Sequence, residues 1–414
     1  MKLLIVSQYF WPEDFRINEL ALALKDRGHA VTVLTSTPNY PEGVVHAAYA
    51  ADPAAFGTYG GVEVIRVPQM ARGFSRFRLV ANYLSFALSA SVLGPWKLRK
   101  RPFDAVFVFQ TSPVTVGIPG GLIARLKNAP MVMWILDCWP ETLAAIGVGS
   151  GRLAQAAVGW LVRAIYASAT LLLGQSEGFA QNVGRYGRAD KFRHFPNWVE
   201  AQYQPADASL VAEMPLAADG KFNVVYAGNI GEAQDFQAIA AAADRLRDDP
   251  VEFLIVGDGR DLERSQADIA ARGLETTVRF AGRFAPSRMQ GFFDQADALL
   301  VSLKADPLFA LTVPGKVQTY LAAGKPIVGM LDGEGQAVIH EAGAGLIVAS
   351  GDAAGLVEAI RTLQRLSPEE RARMGEAGQA YARSRYDRDT LINRLENWLA
   401  EAIRHHDGAR GAPE

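Results

Sequence analysis

Twelve short apolar runs alternate with helix-length segments along this 414-residue chain, and that alternation restricts the fold more than any other feature. In the first half the runs are Leu3–Ser7, Ala30–Thr35, Val62–Val67, Ala105–Gln110, Met131–Leu136 and Thr170–Gly174. In the second half they are Phe222–Ala227, Glu252–Val256, Val278–Phe280, Ala298–Ser302, Pro326–Met330 and Gly345–Val348. Runs apolar on both faces and separated by helices predict parallel sheets covered on both sides. The polar stretch 202–221, with Pro205, Pro215 and Gly220, separates the two sets and reads as a linker. The expected fold is therefore α/β, with Rossmann-like domains over 1–201 and 222–386. Ligands of open parallel sheets lie beyond the carboxyl ends of the strands, so the expected site is a cleft across which the sheets face. Segment 387–404 carries Leu391, Leu395, Trp398 and Leu399 and predicts a helix crossing back to the first domain. Residues 405–414 read as a disordered tail.

A net charge of −2 argues against a nucleic-acid partner, which calls for a basic excess. The single cysteine, Cys138, rules out an intramolecular disulfide and fits a reducing compartment. The apolar start Met1–Val6 is too short for a signal-peptide core, so a cytoplasmic location is expected. One segment departs from the soluble pattern. Leu79–Trp96 carries no charge, while Arg72, Arg76 and Arg78 precede it and Lys97, Arg99, Lys100 and Arg101 follow. Asn82, three serines and a Gly94-Pro95 break make it a poor spanning helix. It reads as a helix lying on the membrane surface with its basic flanks on anionic headgroups; a buried helix with basic ends is the alternative.

The motifs lie at strand ends of the second half. Val224–Asp235 reads as a strand, a turn containing Gly228, Asn229 and Gly231, and a helix start. Phe253–Gly259 ends in Gly-Asp-Gly, and Arg283 and Phe284 follow the next strand. Lys304 follows the run after that, and then come Pro314, Gly315 and Lys316 at the head of a helix holding Val317, Gln318 and Thr319. Glycine turns and helix starts present free backbone N–H groups and a positive dipole end, which suits a phosphate. Four such loops in order describe a nucleotide cradle. A nicotinamide-dependent dehydrogenase is disfavoured, because the first strand runs into Ser7-Gln-Tyr-Phe-Trp-Pro12 and not a Gly-x-Gly-x-x-Gly turn.

Together with Ser7–Glu13, Arg27–Thr35, Pro38–Pro41, Asp137–Glu141 and Pro196–Val199, these motifs resemble the retaining glycosyltransferases of family 4, with the GT-B fold. The O-antigen and capsule branch that includes N-acetyl-L-fucosamine transferases is the most similar. The resemblance implies a sugar moved from a nucleotide donor, UDP-linked, to a lipid-linked glycan at the inner membrane surface, without cofactor or metal. It implies a base against Arg283 and Phe284, and a diphosphate held by Gly228–Gly231 and Pro314–Gln318, with Lys316 and Lys304 opposite its charge. Asp137 would orient the acceptor or take its proton. Glu13, Arg16 and Asn18 would lie on the acceptor or phosphate side. Two glutamates common in relatives are replaced by Leu311 and Thr319, which leaves Gln318, Thr319 and Glu334 as ribose candidates. Other readings of the same fold are a nucleotide-sugar epimerase and a non-catalytic subunit.

Overall fold

A computed structural model describes residues 1–73, 75–142, 151–199 and 220–411. The chain divides into two compact units, Met1–Pro196 with Asp389–Glu414, and Asn197–Arg388. In the first unit the strands are β1 (Lys2–Ser7), β2 (Ala30–Ser36), β3 (Thr58–Tyr59), β4 (Val62–Val67), β5 (Ala105–Gln110), β6 (Met131–Ile135), β7 (Leu171–Gly174) and β8 (Phe192–His194). They pair in the order β3-β4-β2-β1-β5-β6-β7-β8, parallel throughout except for the two-residue β3 against β4. The second unit has β9 (Phe222–Ala227), β10 (Val251–Val256), β11 (Val278–Gly282), β12 (Ala298–Ser302), β13 (Ile327–Met330) and β14 (Gly345–Val348). Their order is β11-β10-β9-β12-β13-β14, and every pairing is parallel.

Burial on both faces explains why these strands read as unbroken apolar runs. Every residue of β5, β6, β7, β9, β10 and β12 is buried. Along β9 the side chains alternate: Val224 and Tyr226 enter one core, Val225 and Ala227 the other. The chain order reverses between β1 and β5 in one sheet and between β9 and β12 in the other. Such switch points leave a crevice at the strand ends, where the flanking loops diverge to opposite faces.

Several expectations are corrected. The last helix runs from Arg388 to Gly411, so the tail expected to be disordered from 405 is helical as far as 411. Leu391, Ile392, Leu395 and Leu399 are fully buried in it, and Arg27 of the first unit pairs with Asp389 and Glu396 at 2.9 Å each. Such packing, rather than intrinsic propensity, extends a helix. Gly94-Pro95 does not break the helix Arg76–Lys97, because proline in a last turn forfeits one backbone bond and the helix ends two residues later. Strands β3 and β8, two and three residues long, lack the length to show a period. The expected linker lies mostly outside the described residues, at 200–219, and the unit boundary falls at Pro196.

Candidate functional site

The switch point of the second unit is built from glycines. Gly228 has φ +135°, and its N–H donates to Val256 O at 2.8 Å. Ile230 N–H donates to Asp258 O at 2.8 Å, so the loops after β9 and β10 press backbone against backbone. A Cβ on Gly257 would sit 1.9 Å from Gly228 O, and one on Gly259 would sit 2.0 Å from Ile230 O. No other residue type fits either position without moving the partner loop.

Lys316 enters this cradle from the other side of the switch point. It stands in the first turn of the helix Gly315–Ala323, after β12, and a Cβ on Gly228 would come within 2.6 Å of its Cε. Its Nζ lies 3.6 Å from the centroid of the Tyr226 ring and donates to the Tyr226 hydroxyl. That hydroxyl donates in turn to Asn229 O, joining the glycine loop and the lysine at one atom. Tyr320 pins the same helix: its hydroxyl accepts from Ala227 N at 2.8 Å and donates to Ala227 O. Among the described residues no carboxylate pairs with Lys316, and burial holds its ammonium down to about 7. Pro314 supplies no capping side chain; Val317 N–H closes on Pro314 O at 2.9 Å, which leaves the amides of Gly315 and Lys316 as the donors this helix start can offer. An unpaired cation, a helix start and a glycine turn converge where an anion would complete the charge balance.

A cavity of about 440 Å³ opens beside this point, lined by Gly228, Asn229, Gly257, Asp258, Arg283 and Phe284 among others. Its volume suits a small organic ligand. Phe284 is fixed by Phe292, ring edge to face at 4.9 Å, and offers an aromatic wall beside the exposed Arg283. The structure thus brings together Gly228, Asn229, Arg283 and Phe284 around one crevice, with Lys316 against Gly228 and with Pro314 and Gly315 leading into the lysine's helix, while Gly231 N–H donates to Gln234 Oε1 at 3.1 Å. It does not bring Lys304 there. The backbone N of Lys304 bonds to Ala233 O, and its Nζ pairs with Glu232 at 3.3 Å beside a separate charged cavity. Val317 and Gln318 are buried, and Thr319 donates to Gly315 O within its own helix. Glu334 heads the helix Glu334–Glu341.

In the first unit Asp137 follows β6, and its carboxylate accepts from Ser112 Oγ at 2.6 Å. Trp139 Nε1 donates to the same Ser112 oxygen, and burial raises the Asp137 carboxyl above the ordinary range. Burial raises the Tyr83 hydroxyl, on the helix Arg76–Lys97, above its usual range; nearby Arg72 works against that shift and Asp137 adds to it. Ser112 and Tyr83 escaped the sequence reading, and Arg72 was read only as a basic flank of Leu79–Trp96; Ser112 stands just past β5, beside the β1–β5 switch point.

Glu13 is corrected. It does not face a ligand: it is buried and accepts from Phe10 N (3.2 Å), Asn39 N (2.7 Å) and Tyr40 N (2.7 Å). Burial pushes its carboxyl up to about 7, while the three amides and Arg66 pull the other way. Asn18 is likewise internal, donating to Glu13 O at 2.7 Å and accepting from Trp11 N at 3.1 Å. A loop that folds back under a helix start needs its own amides satisfied, and these side chains satisfy them. Arg16 stays at the helix start, 3.5 Å from Glu19. Glu13→Gln sets an amide donor against Phe10 N–H, so it should destabilise the protein by about 1–3 kcal/mol. A lowered urea midpoint is the expected reading, and an unchanged one removes the structural role.

Comparison with known proteins bears on the family and the fold. Residues 15–198 match the glycosyl transferase 4-like domain, and residues 221–365 match glycosyl transferases group 1. The chain is 27% identical over 337 residues to the putative colanic acid biosynthesis glycosyl transferase WcaI of Escherichia coli, covering 78% of this chain and 82% of that one. It is 27% identical to the lipopolysaccharide core biosynthesis glycosyltransferase LpsD of Rhizobium meliloti, over 55% of this chain and 63% of that one. Among solved structures, Anabaena HepE in complex with UDP superposes with a TM-score of 0.71 at 15% identity, covering 97% of this chain and 100% of that one. The lipopolysaccharide glycosyltransferase WaaG superposes with a TM-score of 0.65 at 15% identity, over 96% and 99%. The two Rossmann-like domains expected from the apolar runs are the architecture these structures share.

Proposed function

The chain belongs to the GT-B glycosyltransferases, of the 4-like family in its first half and of group 1 in its second, and from that premise we propose a substrate and a division of labour. The donor is a UDP-sugar, an N-acetylated deoxyhexosamine, and the acceptor is a hydroxyl of a lipid-linked glycan in surface-polysaccharide synthesis. Transfer retains anomeric configuration and needs no metal. The protein works on the cytoplasmic side, at the inner membrane surface. Relatives named for colanic acid and lipopolysaccharide core synthesis support the setting, and a neighbour solved with UDP supports the base.

The observation that carries this reading is Lys316, a buried cation with no carboxylate partner among the described residues, held against Gly228 beside a cavity of about 440 Å³. A departing diphosphate gains charge as the glycosidic bond breaks, and a fixed ammonium with the amides of its helix start meets that charge without reorganising. Asp137, held by Ser112, takes the proton of the acceptor hydroxyl. Incubation with candidate UDP-sugars, with and without lipid-linked acceptor, tests the proposal. Release of UDP only with acceptor is expected. Sugar conversion without acceptor would mean an epimerase, and neither event would mean a non-catalytic subunit.

A further inference from the structure

Among the described residues thirteen large apolar side chains stand exposed, and all of them lie in the first unit. Ten of these belong to just three helices, Arg76–Lys97, Gly117–Lys127 and Arg152–Ser168. The first carries Phe77, Leu84, Leu88, Val92 and Trp96, the last four at intervals of four residues. On the second, Ile118, Leu122 and Leu126 repeat that interval, and the third exposes Leu153 and Trp160. An interval of four aligns side chains along one face of a helix.

The three helices share one layer. They make the crossovers β4 to β5, β5 to β6 and β6 to β7, all running the same way across the sheet. Right-handed crossovers in one direction place their helices on one face, and neighbouring helices of the three are in contact. The helix Arg76–Lys97 cannot leave that layer to span a bilayer. Asn82, fully buried in its second turn, accepts from Gln8 Nε2 at 2.8 Å and donates to Met70 O at 2.6 Å. Tyr83, Phe86, Ala87 and Ala90 pack inward beside it.

Charge identifies the partner. The three helices contain seven arginines and lysines and no aspartate or glutamate, in a chain where acids outnumber bases 44 to 42. Three helices with an apolar outer face and charged residues of one sign, positive, complement a surface that is apolar below and anionic at its rim, although Glu141 lies beside Trp160 at one edge. We propose that the outer face of this three-helix layer docks flat on an anionic lipid leaflet. The contact is thus broader than the Arg76–Lys97 helix alone. This deepens the reading of a lipid-linked acceptor, since the same helix bonds through Asn82 to Gln8 and Asn39 at the strand ends of the acceptor-side unit.

Flotation of the full chain with vesicles of phosphatidylglycerol and phosphatidylethanolamine tests it, against vesicles of phosphatidylcholine alone. Wild type should bind the anionic vesicles, and high salt should weaken that binding by screening. Leu122→Glu and Trp160→Glu lie outside the Arg76–Lys97 helix, and each should lower vesicle partitioning by about tenfold or more. Both variants should keep the wild-type UDP affinity and the wild-type urea midpoint, the midpoint reporting that the first unit, which carries both substitutions, still folds. Wild type left in the non-floating fraction overturns the proposal, and so does unaltered partitioning of both variants. A second copy covering the face would appear as a concentration-dependent dimer that does not float. Vesicle binding without UDP binding would leave the docking surface standing and remove the transferase reading.

Discussion

Lys316→Ala should weaken UDP binding by about 1.5–3 kcal/mol, roughly 10- to 150-fold, while leaving the protein folded. The lysine is buried against Gly228 and the Tyr226 ring with no carboxylate partner among the described residues, so its removal deletes a charge that an anion would balance. Its pH dependence has a definite sign. The folded protein holds Lys316 down to about 7 against a usual 10.5, so between those values only the unfolded chain keeps the proton. Stability of the ligand-free protein therefore rises as pH rises from about 7 towards 10.5, and the cost is complete below about 7. A bound diphosphate restores the charge, so binding takes up a proton and wild-type affinity falls as pH climbs above about 7. The alanine variant should lose this dependence in both stability and affinity. Calorimetric titration with UDP across that range reads both effects; equal Kd values for the two proteins would sink the assignment.

Asp137→Asn should lower turnover by about 10²-fold or more, with UDP affinity unchanged. Asparagine keeps the size and can still accept from Ser112 Oγ, so the loop after β6 keeps its geometry and only the basicity is lost. Because burial raises the Asp137 carboxyl, the acid limb of the wild-type turnover profile should lie above the ordinary carboxylate range. A folded Asp137→Asn variant with full turnover would reduce the aspartate to a structural acceptor for Ser112.

How far the site was legible follows from where each interaction closes. Gly228, Gly257 and Gly259 announce themselves locally, because a positive φ or a touching backbone excludes every other residue type. Lys316 could be read from its place at a helix start. Tyr226 could not, since nothing in the β9 run distinguishes a core tyrosine from one whose hydroxyl joins Asn229 to a lysine ninety residues on. Lys304, expected as a second charge beside Lys316, had no helix start to mark it. The backbone bond to Ala233 and the pair with Glu232 turn Lys304 elsewhere.

By itself the sequence determined the elements: strands buried on both faces must be apolar runs, and crossovers between them must be helices, so the pattern is local and readable. It also located the ends where ligands bind, because glycine is obligatory where two backbones touch. Only the tertiary structure decided which polar groups meet. Glu13 is a structural acceptor because two of its amides arrive from Asn39 and Tyr40, past the next strand. Asn82 interrupts an apolar helix because Gln8 and Met70 wait opposite it. The same helix buries one face and exposes the other, a division set by what packs against it and invisible in its uncharged run. A polar side chain's role is fixed by its partners, and those partners come together only when distant segments fold into contact.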